Sequence, residues 1–476
     1  MKRNLWILFL LMFGWFAPSE IRCQTITQDV FLEQLRQTHP VFEKESFTAQ
    51  IEQEDRNSMM GAQDWKFYST LSVMRETPEL AIAGPERTDA LSGEIGIEKT
   101  FWSTGARLTS SFSTGKSSFK IDPLLSSMYG IPESFYSNKI ALTYSHPLLQ
   151  NYKGFLDKLP YRLKAFDVDF SKIQALENQE NFLTEAALKF VDWVLLSEQI
   201  GIIAERVKLN QEELERTERK RAANLVDEVD VIRATDAVRI AKQNYVMIEA
   251  KLNALQSELA VLTQNNQLLE MEPEYALYQF QPLPSMDESI RELQNDSRIL
   301  RSLQIRLDQL NLARKGFANT KKANLSVFTQ MNTKQMQEDV AKSLHMDKYD
   351  ILAGLQFSVP LENTTAESKI NQTDLQIHQL DAQKEETELT MIALLSSLMI
   401  QIEKTSEVIR LNEEQIESAK ARTREELKYY NQGRGSLTFV ILSRDNEENA
   451  RLQYAQNAAL YHQLLIQYRS LMDKIL

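Results

Sequence analysis

Residues 231–245 read VIRATDAVRIAKQNY, and 209 positions later residues 440–454 read VILSRDNEENARLQY. Val231, Ile232, Asp236, Ala241 and Tyr245 return as Val440, Ile441, Asp445, Ala450 and Tyr454, with Lys242 answered by Arg451. Each copy follows a short turn between two long helical stretches. Solenoid repeats have periods of roughly 20 to 50 residues, so a displacement this large marks a duplicated half of the chain.

Upstream, the duplication includes strands. Leu142, Tyr144, Ser145, Pro147 and Leu148 return as Leu355, Phe357, Ser358, Pro360 and Leu361, and Leu71-Ser72-Val73 returns as Leu325-Ser326-Val327. Each half therefore reads helix, strand, loop, strand, long helix, tight turn, helix. The expected division is a first repeat over 24–270, a proline-bearing link over 271–285 and a second repeat over 286–476. The turns are expected near 224–228 and 431–436, at Asn224-Leu225-Val226 and at Gly433-Arg434-Gly435-Ser436. Asn and Gly both tolerate the left-handed backbone that a tight reversal requires.

The strand pattern is alternation. Phe67, Leu71 and Val73 fall opposite Tyr68, Thr70 and Ser72, and Ile140, Leu142 and Tyr144 fall opposite Ala141, Thr143 and Ser145. In the second half Leu325, Val327 and Met331 oppose Ser326, Phe328 and Gln330, while Leu355, Phe357 and Val359 oppose Gly354, Gln356 and Ser358. Four strands with an apolar outer and a small or polar inner face suit a membrane barrel. An insert over 76–137 carries a β pattern of its own, a hairpin turning at Ser103-Thr104-Gly105. The equivalent link, about 332–349, is polar and reads as a loop.

Two stretches, about 159–223 and 367–430, repeat apolar residues at helical spacing; Leu395, Ile402, Ile409 and Ile416 come one heptad apart. Helices of about 60 residues rise on the order of 90 Å. Taken alone, such helices also fit a periplasmic coiled-coil adaptor or scaffold. The strands argue otherwise, because about eight is the smallest membrane barrel and one chain supplying four must combine with others.

Composition agrees with long uninterrupted elements: 476 residues hold 14 Gly and 12 Pro, with 43% hydrophobic and 25% charged residues. Lys2-Arg3, the apolar run from Leu5 to Ala17 and the polar stretch after Pro18 read as an export signal over 1–23. A single cysteine, Cys23, excludes an intrachain disulfide. The net charge of −12 disfavours a nucleic-acid partner. His39, His146, His345, His378 and His462 are scattered without metal-ligand spacing, and neither a phosphate loop nor a nucleophile elbow occurs. Neither an enzyme nor a bound cofactor is expected.

The chain resembles the TolC family of outer-membrane efflux and secretion channels. The resemblance is carried by Ser145-His146-Pro147-Leu148-Leu149, by Ser358-Val359-Pro360-Leu361, by Asp230-Val231-Ile232-Arg233-Ala234 after the first turn, and by Tyr430, Gly433 and Val440 around the second. It covers nearly the whole exported chain. It implies a mainly α homotrimer with a membrane β part: four strands per subunit in one twelve-stranded outer-membrane barrel, and a helical tunnel through the periplasm. It further implies a passive duct in a tripartite efflux pump or type I secretion system. The docking turns, Asn224, Leu225, Val226, Gly433, Gly435 and Ser436, would meet a periplasmic adaptor and an inner-membrane pump.

The second turn departs from the family pattern. Where members often carry an arginine stands Gly435, with Arg434 beside it, and two aspartate positions hold Phe439 and Leu442. The glycine-rich stretch usual after the second Pro-Leu is replaced by Glu362-Asn363-Thr364-Thr365. The acidic residues of the first turn, Asp227, Glu228 and Asp230, are then either a solvated tip or a charged ring at the tunnel mouth. Tyr430 and Arg434 complete the candidate aperture. The sequence names no cargo.

Overall fold

The computed structural model describes residues 24–78, 85–130 and 132–476; the export signal expected over 1–23 lies outside the described residues. In chain order the elements are β1 (Thr25–Thr27), α1 (Gln28–Thr38), α2 (Pro40–Ser58), β2 (Lys66–Glu76), β3 (Arg87–Phe101), β4 (Ala106–Lys120), α3 (Pro123–Tyr129), β5 (Ser134–Pro147) and α4 (Phe155–Ala222). There follow α5 (Glu228–Thr263), β6 (Glu272–Glu274), α6 (Met286–Asp296), α7 (Arg298–Thr320), β7 (Asn324–Gln337), α8 (Val340–Ser343), β8 (Tyr349–Ser358), α9 (Thr364–Asn431) and α10 (Leu437–Leu471). They fall into two compact units. One holds the described residues up to Glu45 with Glu177–Ser297 and Leu389–Leu476, and the other holds Ser46–Leu176 with Arg298–Glu388.

Among the described residues, the second unit is built on one antiparallel sheet of six strands in the order β2-β3-β4-β5-β7-β8. Four were expected. The insert is not an appendage: its hairpin supplies β3 and β4, which separate β2 from β5. The twelve-strand count, which assumed four strands per chain, does not follow from this sheet. The loop expected over 332–349 is shorter too, since β7 continues to Gln337 before α8.

Register explains why the insert fits. Phe67 pairs with Ile97, Ile97 with Ser110, Ser110 with Leu142, Leu142 with Met331 and Met331 with Ile351. Directly paired residues share a face and a slip of one residue would reverse it, so parity is kept across all six strands. One face gathers Leu71, Val73, Leu91, Ile95, Leu142, Met331, Ile351, Leu355 and Phe357, all exposed. The other gathers Thr70, Ser72, Ser92, Ser111, Thr143, Gln330 and Gln356.

One end of this sheet is locked by two glycines. Gly105 (φ 78°) closes the β3–β4 turn and Gly154 (φ 66°) precedes α4. A Cβ on Gly154 would overlap the Trp102 carbonyl oxygen, and one on Gly105 would lie 2.7 Å from the Asn151 carbonyl oxygen. Asn151 Oδ1 accepts from the Leu156 amide (2.8 Å), while the Asn151 amide donates to Asn319 Oδ1 (2.9 Å). The Trp102 and Tyr161 rings meet at 5.7 Å.

The duplication is written into the helix bounds. Both α4 and α9 have 68 residues, Phe155 and Ala222 corresponding to Thr364 and Asn431 at the displacement of 209 that also relates Glu228 to Leu437 at the starts of α5 and α10. At 1.5 Å per residue each long helix rises on the order of 100 Å. Pro160 and Gly201 are accommodated inside α4.

In the first unit the core packs Phe31, Leu35, Phe190, Trp193, Leu259, Leu268 and Ile466. The link over 271–285 is anchored to it: Leu277 is buried in this core and Tyr275 and Phe280 pack against it. His462 Nε2 donates to the Leu277 carbonyl (2.9 Å), and Tyr461 donates to the Gln281 carbonyl (2.6 Å) while accepting from the Gln281 amide (3.1 Å). β6 pairs in parallel with β1, Thr25 opposite Glu272. Among the described residues no helix is long and apolar enough to cross a membrane.

Candidate functional site: the paired helical turns

The two turns have the same construction. Asn224 takes φ 55° and Gly433 takes φ 71°, which puts both in the left-handed region. The Leu225 amide donates to the Lys220 carbonyl (2.9 Å), and at the corresponding position the Arg434 amide donates to the Tyr429 carbonyl (3.0 Å). These bonds satisfy carbonyls left open by the helix ends. The next helices open at equivalent N-caps, Asp227 and Ser436. Ser436 Oγ accepts from the Thr438 amide (3.3 Å), whereas the Asp227 side chain makes no capping hydrogen bond.

The two hairpins pack together just behind the turns. Ala234 of α5 joins Tyr430 of α9 and Leu437 and Val440 of α10, with Leu214 of α4 against them. Tyr430, a candidate for the aperture, is thus buried inside this packing. The Lys220 ammonium lies 3.7 Å from the centre of its ring, a cation–π contact that desolvation strengthens. Burial lowers the Lys220 ammonium and raises the Tyr430 phenol from their ordinary pKa values.

The other candidates are exposed or, at Val226, Asp230 and Gly435, half-buried. Glu228 pairs with Arg221 (3.2 Å) and Asp230 with Arg233 (3.2 Å). Arg434 is exposed over the Tyr429 ring, 5.7 Å away. Asn224, Leu225, Gly433 and Ser436 are exposed, and Val226 and Gly435 are half-buried. Leu225, Val229, Ile232, Phe439 and Leu442 add exposed apolar surface to the two tips. Among the described residues no cluster of His, Cys, Asp or Glu could hold a metal ion.

Sequence reading missed a polar seam. Arg206, Asn210, Glu213 and Thr217 follow one another along α4 at spacings of four, three and four residues, and all are buried. Arg206 pairs with Asp445 and with Glu448 (3.1 Å). Glu213 meets Arg444 (3.5 Å) and Arg216 (3.4 Å), and Arg444 also donates to the Leu209 carbonyl (3.2 Å). Burial raises the Glu448 carboxyl and lowers the Arg444 guanidinium from their usual pKa values. Beside the seam, Arg206, Asn210, Asp236, Asp445 and Glu448 line a cleft of about 680 Å³. The signal was present as charged residues at heptad core positions.

No protein-family model matches the sequence, and no curated relative matches it. Solved structures do. VceC, an outer membrane protein of Vibrio cholerae, is similar over 94% of this chain and 96% of its own, with TM-score 0.67 at 9% identity. CusC, described for its folding and transmembrane channel formation, is similar over 94% of this chain and 91% of its own, with TM-score 0.69 at 8% identity. The CmeC outer membrane channel of Campylobacter jejuni is similar over 94% of this chain and 85% of its own, with TM-score 0.65 at 12% identity. Over almost its whole length, the chain has the fold of the TolC-like outer-membrane channels.

Proposed function

We propose that the protein is an outer-membrane channel, a passive exit duct assembled as a homotrimer and docked through its helical turns to a periplasmic adaptor and an inner-membrane pump. The observation that carries this reading is the sheet with one exposed apolar face and one polar face, the division of a barrel between lipid and lumen. The fold shared with VceC, CusC and CmeC supports it, as do helices on the order of 100 Å, several times a bilayer's hydrocarbon thickness of about 30 Å. A periplasmic scaffold would have no use for such a sheet. The mass of the detergent-extracted oligomer tests the assembly: a trimer from the outer-membrane fraction is expected, and a soluble monomer would refute it. Crosslinking in cells followed by purification tests the docking, with an adaptor and a pump as the expected companions. The pump recovered would distinguish efflux from type I secretion.

The strand faces make a sharper prediction. Leu355 belongs to the apolar face and Gln356 to the polar one. Arginine at mid-membrane on the lipid face costs roughly 2 to 4 kcal/mol. Leu355→Arg should therefore deplete assembled trimer in the outer membrane, while Gln356→Arg should assemble as wild type. Equal yields would argue against a membrane barrel.

We further propose that the first turn sets the charge of the tunnel mouth. Its carboxylates are not equivalent, because Glu228 and Asp230 are partly neutralised by Arg221 and Arg233 while the Asp227 side chain leaves even its cap bond unmade. A ring of carboxylates favours cations. Asp227→Asn should weaken cation selectivity in bilayer recordings more than Asp230→Asn does. Unchanged selectivity in both variants would assign these residues to a solvated outer tip.

A further inference from the structure

We propose that the membrane wall has eighteen strands: three copies of the chain join edge to edge, β8 of one to β2 of the next, each contributing six strands. This rests on the trimeric channel proposed above and deepens it.

Three features of the sheet point there. Among the described residues its edges are open: β2 pairs only with β3 and β8 only with β7. Both edges are long and apolar, 11 and 10 residues, with Leu71, Val73, Leu355 and Phe357 among the most exposed large side chains. Such edges invite pairing with another strand, and in lipid every backbone donor and acceptor must be satisfied. A single sheet of six falls below the smallest barrel of about eight strands, so the occupant of each edge is a second copy of this chain.

The strand directions make that union regular. The order β2-β3-β4-β5-β7-β8 is antiparallel throughout, and an even number of strands leaves β2 and β8 running oppositely. Laid side by side from neighbouring copies they continue the antiparallel pattern, and a ring of identical head-to-tail contacts closes. The hairpin belongs to the wall by the same tests. β3 and β4 have 15 residues each, keep the face parity of their neighbours and place Leu91, Ile95 and Ile97 with the apolar set. Their turn is fixed to the start of α4 through Gly105 and Gly154. Barrel diameter grows roughly in proportion to strand number, so this wall is about 1.5 times as wide as four strands per subunit would make it. Barrels of about this strand number leave an aqueous channel.

The test combines electron microscopy of the detergent-extracted protein with paired cysteines in outer membranes. Ser72 and Ser92 are direct partners whose hydroxyl oxygens are 2.6 Å apart, and Thr109 is the direct partner of Thr143. Ser72→Cys with Ser92→Cys, and Thr109→Cys with Thr143→Cys, should each form a disulfide within one subunit. Ser72 and Ser137 are linked through Ser92 and Gly115 across three ladders, a distance of about 14 Å, so Ser72→Cys with Ser137→Cys should not. A trimer whose barrel section shows eighteen strands, with this pattern of disulfides, is the expected result. A trimer in which only the Ser72–Ser137 pair crosslinks places the hairpin outside a twelve-stranded wall; it overturns the inference and leaves the channel reading standing. An oligomer other than a trimer overturns both.

Discussion

Gly154→Val is expected to abolish assembly of the trimer in the membrane, the largest effect of any single substitution in the sheet-bearing unit. Two penalties coincide at this position. Its φ of 66° lies in the left-handed region, which costs an L-residue roughly 1–2 kcal/mol. In addition, the new Cβ would overlap the Trp102 carbonyl oxygen, an atom of the backbone that no side-chain rotation can move. Overpacking costs typically 1–3 kcal/mol more. Together they reach about 2–5 kcal/mol, a large share of a stability of about 5–15 kcal/mol, and they act where the β3–β4 turn meets the start of α4, so the two cannot both keep their places. Gly433→Val is the control, since a Cβ there meets nothing within 4 Å and only the backbone strain at φ 71° remains. The check is the yield of trimer extracted from outer membranes: near zero for Gly154→Val and close to wild type for Gly433→Val. With assembly intact, Gly433→Val reports on docking through loss of export. Equal yields from the two glycine variants would remove the argument that the β3–β4 turn is locked in place.

The long elements were legible in the sequence because their evidence is local. Heptad spacing and a displacement of 209 residues need no partner to be seen, and α4 and α9 begin and end at that displacement. Strand pairing is different. Alternation told which residues of β3 and β4 share a face, but not that their partners are Leu71 on one side and Leu142 on the other, because an alternating run fits a separate hairpin as well as a wall strand. The end of β7 was hidden for a related reason: Lys334, Gln335 and Gln337 lack the apolar signal. At the turns the left-handed residues were predictable from their chemistry. Burial of Tyr430 was not, since it depends on Ala234 from the other hairpin.

The least legible feature, the polar seam of α4, is expected to give the largest effect among the helices. Arg206 is buried and bridges Asp445 and Glu448 on α10. Asp445 is half exposed and solvated, so the charge left unpaired is mainly that of the largely buried Glu448; the cost lies below the roughly 3–5 kcal/mol of a fully buried pair, and Arg206→Met should still loosen the packing between α4 and α10. Glu448 determines how the loss depends on pH. Burial already raises its folded pKa above the usual carboxylate value, and Arg206 is the group that opposes the rise. Without Arg206 the folded state holds its proton still more tightly, so between the unfolded value near 4.5 and the raised folded value the folded chain binds more protons than the unfolded one. Stability then falls as pH rises through that window and recovers as pH is lowered. The variant should therefore lose amide-exchange protection along 203–217 and 440–448 at neutral pH, and regain part of it in mild acid. Arg206→Met combined with Glu448→Gln should restore protection at neutral pH, because the second change removes the unpaired charge. Additive losses in the double variant would mean that Arg206 acts through its packing, and that the seam's charges are independent of one another.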